Sequence, residues 1–379
     1  MSKETAEAMI ASYMATPQPA YSFGWQGGEP TLMGVDFFRT VTDLQKKHGK
    51  PGVSVANGLQ TNATLIDDEF AAHLAEYSFL VGVSLDGPEV LHNRYRRTRS
   101  DSGTYDKVRR GIDALRRHKV EFNILVLVNA SNVEHGREVY QFLKEEGFYY
   151  HQYIPCVEFD ADGNLLPFAI TGDQWGAFMS EVFDEWYAKD TRRVSIRHFD
   201  SMLEFMIHRR YNVCAMGGVC DNYFVVEHNG DVYPCDFFVE EPKRLGNVHT
   251  DAWESMGASG RFRSFASRKT QWHEDCVHCE FLNYCSGDCP KNRYRVGQDP
   301  RQKSWLCEGW KQFYENSLER MKSLAVSVVN EQAMARGGLP ISEIPDPAPK
   351  ADDPCFCGSG KRYKNCHGAA RSIPVSADS

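Results

Sequence analysis

Eight cysteines between Cys214 and Cys307 constrain this chain more tightly than any other feature. They fall at Cys214, Cys220, Cys235, Cys276, Cys279, Cys285, Cys289 and Cys307, with the central run Cys276-x2-Cys279-x5-Cys285-x3-Cys289. Eight thiols make two four-cysteine sites. A Cys-x2-Cys pair lets both thiolates face one metal, and it serves zinc as well as iron. Spacing alone therefore leaves two structural zinc sites and two iron–sulfur clusters both open. Metal comes before disulfide, because the N-terminus, Met-Ser-Lys-Glu-Thr-Ala-Glu-Ala, has neither the basic segment nor the apolar core of a secretory signal. The chain is expected in the cytoplasm, where structural disulfides are uncommon.

At 379 residues, 42% hydrophobic and 25% charged, there is enough apolar material for one large domain with smaller attachments. No membrane partner is expected: the apolar run near Phe122 to Val128 is far below the roughly 20 residues that span a bilayer. A formal net charge of -8 argues against a nucleic-acid partner, since no excess of Lys and Arg exists to displace phosphate counterions. The local basic run Arg94 to Arg99 reads as a solvated face.

Over roughly the first 160 residues strand-like and helix-like segments alternate, the pattern of βα units around a parallel sheet. Strands are expected at Tyr21 to Trp25, Val53 to Leu59, Phe79 to Leu85, Phe122 to Val128 and Tyr149 to Ile154. Amphipathic helices are expected at Asp36 to His48, Asp67 to Glu76, Tyr105 to His118 and Gly136 to Glu145. The chain opens with a helix whose stripe is Ala6, Met9, Ile10, Tyr13 and Met14. Helices from about Gly172 to Arg209 bridge into the cysteine-rich region. A Gly-, Pro- and Asp-rich linker around Gly337 to Asp353 then leads to a compact Cys/His cluster.

Three further groups of residues invite chemistry. Gly27-Gly28-Glu29 follows a strand, where a glycine pair admits close backbone approach and a carboxylate can meet an ammonium; a plain turn is the alternative. Asp236 directly follows Cys235, so its carboxylate should lie near a metal centre, unless it is a cap or turn residue. At the C-terminus, Cys355, Cys357, Cys366 and His367 supply three sulfurs and one nitrogen, a set suited to tetrahedral zinc. The alternative there is an unstructured tail with reactive thiols. Cys156 stands outside these groups and is expected in the core.

The stretches Phe23-Gly-Trp-Gln-Gly-Gly-Glu-Pro-Thr-Leu32, Leu59-Gln-Thr-Asn62, Leu80-Val-Gly-Val-Ser-Leu-Asp-Gly-Pro88, Arg193-Val-Ser-Ile-Arg-His-Phe-Asp200 and Val232-Tyr-Pro-Cys-Asp-Phe-Phe238, together with the cysteines, resemble anaerobic sulfatase-maturating enzymes. The resemblance covers about residues 1 to 320. It implies an α/β fold: an incomplete (β/α)6 radical-SAM-type partial barrel lacking its first strand, then a cysteine-rich SPASM domain. The expected boundaries are 1–210 for the partial barrel and bridging helices, 211–325 for SPASM, 326–352 for a helix end and linker, and 353–368 for the C-terminal motif. That last segment, Pro354-Cys-Phe-Cys-Gly-Ser-Gly-Lys-Arg-Tyr-Lys-Asn-Cys-His367, resembles the SEC-C zinc motif. Its Lys361 and Lys364 suggest a protein or ribosome contact by analogy alone.

The resemblance also implies roles. One auxiliary [4Fe–4S] cluster would take Cys214, Cys220, Cys235 and Cys289, and the other Cys276, Cys279, Cys285 and Cys307. S-adenosyl-L-methionine (SAM) would be held by Gly27, Gly28, Glu29, Ser84, Arg96 and Val157. Gln26 and Asn62 are open to either SAM or peptide, and Asp86-Gly87 reads equally as turn chemistry. Asp236 would be the proton acceptor when a Cys or Ser of a sulfatase polypeptide is oxidised to Cα-formylglycine, because a thiol or alcohol must lose its proton as an electron departs. A reduced flavodoxin or ferredoxin would supply electrons.

The chain departs from the family at one point. Radical SAM chemistry needs a third [4Fe–4S] cluster on a Cys-x3-Cys-x2-Cys loop, and no cysteine precedes Cys156. Either Met1 lies inside a longer reading frame, or the protein is a degenerate relative, a non-catalytic iron–sulfur or zinc protein that binds peptides. Retention of Gly28, Ser84, Arg96 and Asp236 together favours the longer frame. The 379 residues by themselves are expected not to cleave SAM.

Overall fold

The structure is a computed structural model and describes residues 1–294, 299–335, 337–345 and 350–367. Its elements run α1 (Lys3–Ala15), β1 (Ala20–Trp25), α2 (Val35–His48), β2 (Ser54–Thr61), α3 (Asp68–Glu76), β3 (Leu80–Ser84), α4 (Glu89–Tyr95), α5 (Tyr105–Arg117), β4 (Phe122–Val128), α6 (Gly136–Glu145), β5 (Tyr150–Pro155), α7 (Gly172–Lys189), β6 (Ser195–Ile196) and α8 (Arg197–His208). The cysteine-rich region follows with β7 (Val225–Val226), β8 (Asp231–Tyr233), β9 (Gly246–Asn247), α9 (Trp253–Gly257), α10 (Gly260–Ser267), α11 (Glu274–Val277), α12 (Leu282–Cys285), α13 (Pro290–Arg293) and the long α14 (Cys307–Met334). Residues 336, 346–349 and 368, which fall in the expected linker and C-terminal motif, lie outside the described residues.

Six strands form one sheet in the order β1 to β6, and β7 to β9 form a separate three-stranded antiparallel sheet. The five strands expected from the sequence are present within two residues of their expected ends. β6 joins them where only helix was expected; two residues, Ser195 and Ile196, pairing in parallel with Tyr150 and His151, are too short to show a period. The chain divides into two compact units, 1–127 with 218–271, and 128–217 with 272–379. The bounds expected at 210 and 325 follow the cysteine pattern, whereas each unit takes a part of the sheet and a part of the cysteine-rich region.

In the first unit, β1 pairs with β2 from Ala20↔Ser54 to Trp25↔Leu59, and β2 with β3 from Gly58↔Leu80 to Thr61↔Val83, both parallel. Parallel pairing carries every strand's C-terminal end to one edge, where ligands of such sheets gather. Ile124, Leu125 and Val126 are buried in succession, as fits a strand covered on both faces. Helix α1 starts on Ser2, whose side chain accepts from the Thr5 N–H at 3.2 Å, and buries Ala6, Met9, Ile10 and Met14. Its other side meets the cysteine-rich part of the same unit: Trp253 donates its indole N–H to Ser12 at 2.9 Å, and Thr5 Oγ1 lies 3.1 Å from His249 Nε2.

The second unit is built around α7, α8 and α14. Trp175, Phe178, Met179, Val182, Phe183 and Trp186 of α7 are buried, as are Trp310, Phe313, Tyr314 and Met321 of α14. Each large apolar side chain so buried contributes about 1.5–3 kcal/mol. The helices approach closely where three glycines meet: a Cβ on Gly309 would lie 1.8 Å from the Gly172 carbonyl oxygen and 2.8 Å from the Gly176 nitrogen. Cys156 is buried, as expected of a core thiol.

Candidate active site and metal centres

The turn after β1 has two left-handed residues, Gly27 at φ 92° and Gly28 at φ 54°. Glycine adopts that geometry without cost, and it brings Glu29 back over the end of β2. There the Glu29 carboxylate accepts from the Thr31 N–H (3.0 Å), the Thr31 hydroxyl (2.7 Å), the Thr61 hydroxyl (2.6 Å) and the Asn62 N–H (2.7 Å). Glu29 thus ties the β1 turn to the end of β2. Asn62 closes its own turn by accepting from Thr64.

Ser84 ends β3, half-buried. Two residues on, Asp86 is 1% exposed. Arg96 forks onto it, Nε to Oδ2 at 2.7 Å and a terminal nitrogen to Oδ1 at 3.1 Å, and the Leu127 N–H adds a third donor at 2.9 Å. Asp86 is therefore more than a turn residue. It orients Arg96, and a bidentate guanidinium–carboxylate pair is both directional and strong. His92 caps the same turn by accepting from the Asp86 N–H at 3.2 Å, and burial lowers its pKa to about 4. Val157, in the second unit, is buried, and its carbonyl accepts from Lys291 Nζ at 2.5 Å.

Asp236 begins a short turn after β8. Its Oδ2 accepts from Gln26 Nε2 at 3.0 Å, and its Oδ1 from the Tyr223 hydroxyl at 2.9 Å and from the Cys235 thiol at 3.4 Å. The Tyr223 oxygen also lies 3.7 Å from Cys235 Sγ. Burial pushes the Cys235 thiol up to about 12, and burial together with the adjacent Cys235 and Asp236 raises the Tyr223 phenol. Sequence reasoning left Tyr223 out because nothing in its spacing marks it, and the contact with Asp236 is made only by folding.

None of the twelve cysteines is in a disulfide. In the second unit, Cys276 lies in α11, Cys279 just beyond it, Cys285 at the end of α12 and Cys307 at the start of α14. They sense one another. Burial drives the Cys285 thiol well above its ordinary value, with Asp288, Cys307 and Cys276 adding to the rise. Burial likewise lifts Cys307 to about 11, with Lys303 opposing and Cys276 adding. Thiols that repel one another as thiolates are the kind that a shared cationic centre stabilises. Of the remaining four, Cys214 and Cys289 lie in the second unit and Cys220 and Cys235 in the first.

The C-terminal ligand atoms of Cys355, Cys357, Cys366 and His367 all lie within 4.8 Å of one another. His367 Nδ1 is 3.1 Å from Cys355 Sγ and 3.3 Å from Cys366 Sγ, and Cys357 Sγ is 3.7 Å from Cys366 Sγ. Thiolates around a tetrahedral zinc stand roughly 3.8 Å apart, so the set fits a single ion of that size. Phe356 and Tyr363 pack beside it with Ala333 of α14, a small apolar cluster.

Among the described residues no helix is long and apolar enough to cross a membrane. Models of three families match: the radical SAM superfamily over residues 1–143, the SPASM iron–sulfur cluster-binding domain over 214–280, and the SEC-C motif over 353–369. The cysteine-type anaerobic sulfatase-maturating enzyme of Clostridium perfringens is 34% identical over 86% of this chain and 90% of its own. The serine-type enzyme of Bacteroides thetaiotaomicron is 35% identical over 88% and 85%. Native anSMEcpe with bound AdoMet and Cp18Cys peptide superposes with a TM-score of 0.83 at 34% identity, covering 86% of this chain and 92% of the other. Streptococcus suis SuiB, at 15% identity and a TM-score of 0.57 over 81% and 70% of the two chains, shares the fold alone. A radical SAM region, an iron–sulfur domain and likeness to both relatives over at least 85% of each chain together place this chain in the anaerobic sulfatase-maturating enzyme family.

Proposed function

We propose that the protein oxidises a Cys or Ser of a sulfatase polypeptide to Cα-formylglycine, with Asp236 as proton acceptor. The observation that carries this reading is the carboxylate of Asp236, set beside the ligand candidate Cys235 and held by Gln26 and Tyr223. On the resemblance, the eight thiols are assigned to two auxiliary [4Fe–4S] clusters, Cys214, Cys220, Cys235 and Cys289 to one and Cys276, Cys279, Cys285 and Cys307 to the other; when bound they would supply a sink for the electron that leaves the substrate. Asp236 takes the thiol or hydroxyl proton, and two neutral donors on its oxygens keep the carboxylate aimed. Gly27 and Gly28 give SAM a bare backbone to approach, with Glu29 holding their turn. Ser84, the Asp86-oriented Arg96 and Val157 offer a hydroxyl, a fixed cation and an apolar wall. A reduced flavodoxin or ferredoxin is the proposed electron donor, and zinc the ion of Cys355, Cys357, Cys366 and His367.

Anaerobic reconstitution with iron and sulfide tests the reading. The chain should turn brown, absorb near ~400 nm, and hold about eight irons for two four-iron clusters. A colourless product carrying zinc alone would remove the redox reading. The 379 residues, lacking a Cys-x3-Cys-x2-Cys loop, should release no 5′-deoxyadenosine from SAM. The second reading is a non-catalytic iron–sulfur or zinc peptide-binding protein. Joined to such a loop ahead of Met1, the chain converts a Cys- or Ser-containing sulfatase peptide under the first reading and only binds it under the second.

A further inference from the structure

Between the ligand candidates Cys285 and Cys289 the backbone does something rare. Ser286, Gly287 and Asp288 are all left-handed, at φ 50°, 70° and 64°. Only glycine adopts this region readily, and three in a row need an outside support. The support is Arg293, a guanidinium 1% exposed. It donates to the carbonyls of Gly287 at 2.6 Å, Ser286 at 2.9 Å and Asp288 at 3.0 Å, and a longer bond reaches Pro300 at 3.4 Å. The left-handed turn aims three successive carbonyls at one cation. Gly287 is required: a Cβ there would lie 2.6 Å from an Arg293 terminal nitrogen and 2.9 Å from the Trp272 ring.

The rest of the loop is pinned from outside. Trp272 donates to the Ser286 carbonyl at 3.3 Å, and the Asp288 carboxylate accepts from Ser304 at 2.6 Å and Asn292 at 3.0 Å. The Ser286 carbonyl on which the guanidinium sits directly follows Cys285, so the positive charge is held next to that ligand candidate. An interior cation amid backbone dipoles is poorly screened, so its field on groups beside it is strong.

We propose that Arg293 is a positioning and tuning residue for the cluster held by Cys276, Cys279, Cys285 and Cys307: it shapes the turn that sets Cys285, and its charge raises that cluster's reduction potential. This rests on the proposed function, in that it requires the four thiols to hold iron. Reduction adds one negative charge to a thiolate-ligated cluster. A fixed cation held on the carbonyl that follows Cys285 favours the reduced form, which makes the cluster the readier electron acceptor.

The test is a redox titration of the full chain, reconstituted anaerobically and followed by electron paramagnetic resonance, on the parent, Arg293→Gln and Arg293→Lys. In Arg293→Gln one of the two cluster midpoints should move to more negative potential while the other stays. In Arg293→Lys, which keeps the charge but loses the fork, both midpoints should stay near the parent's, with faster loss of iron on warming. If Arg293→Gln takes up no iron, the lysine variant decides: parental midpoints uphold the charge, and a negative shift overturns it. Parental midpoints in a fully loaded Arg293→Gln would overturn the tuning role, as would failure of both variants to load, which would leave Arg293 a scaffold only. A parent chain that takes up no iron at all would instead overturn the proposed function.

Discussion

Asp236 takes donors from three side chains that are scattered in sequence, Gln26, Tyr223 and its neighbour Cys235. A base held this way works by position as much as by basicity, so Asp236→Asn should keep the fold and lose the reaction. In a chain supplied with a Cys-x3-Cys-x2-Cys loop, aldehyde formation on a cysteine peptide should fall roughly 10²- to 10⁴-fold, read by mass spectrometry. Unchanged turnover would remove Asp236 from the mechanism. Asp200 offers a test of a different kind. Burial lifts its carboxyl to about 6, against the pull of the Ser195 hydroxyl and the Arg197 charge. An acid raised on folding contributes stability that is full below its ordinary value of 3.8 and lost as pH climbs through about 6. Asp200→Asn should therefore flatten the decline in melting temperature between about pH 4 and 6.5. At the upper end the variant should be more stable by on the order of 1–2 kcal/mol.

Among the elements, α14 is the one whose seat is least forgiving. Its Gly309 lies against Gly172 and Gly176 of α7 with no room for a methyl group. Gly309→Ala should cost roughly 3 kcal/mol, because backbone, unlike a side chain, cannot step aside. Gly260→Ala, with nothing within 4 Å of the added Cβ, is the neutral control in the same thermal-melt comparison. Most elements were legible in the sequence. The 3.6 period of α2 and α5 and the apolar runs of β3 and β4 identified themselves, since burial of one face or of both imposes the pattern. β6 was not legible, because two residues carry no period. The glycine contact was not legible either, because it is made between positions more than a hundred residues apart.

For the whole molecule, the C-terminal motif behaves as an attachment with almost no core of its own beyond Phe356, Tyr363 and Ala333. Its order should depend on metal. A chelator strong enough to strip zinc should expose residues 353–367 to protease while the body of the chain survives intact on a gel. Persistence of a protected C-terminus in metal-free protein would contradict this. The cysteine spacing and the βα alternation were determined by the sequence by itself, and so were the fold class and the family, because ligand spacing and hydrophobic period are local properties that any reading of the chain exposes. Only the tertiary structure decided that Glu29 clamps the end of β2, that Arg96 is steered by a buried Asp86, and that Arg293 gathers the carbonyls of the Cys285–Cys289 turn. Those are charges and dipoles brought together by folding, and a buried charge must be answered by whatever partner the packing brings to it.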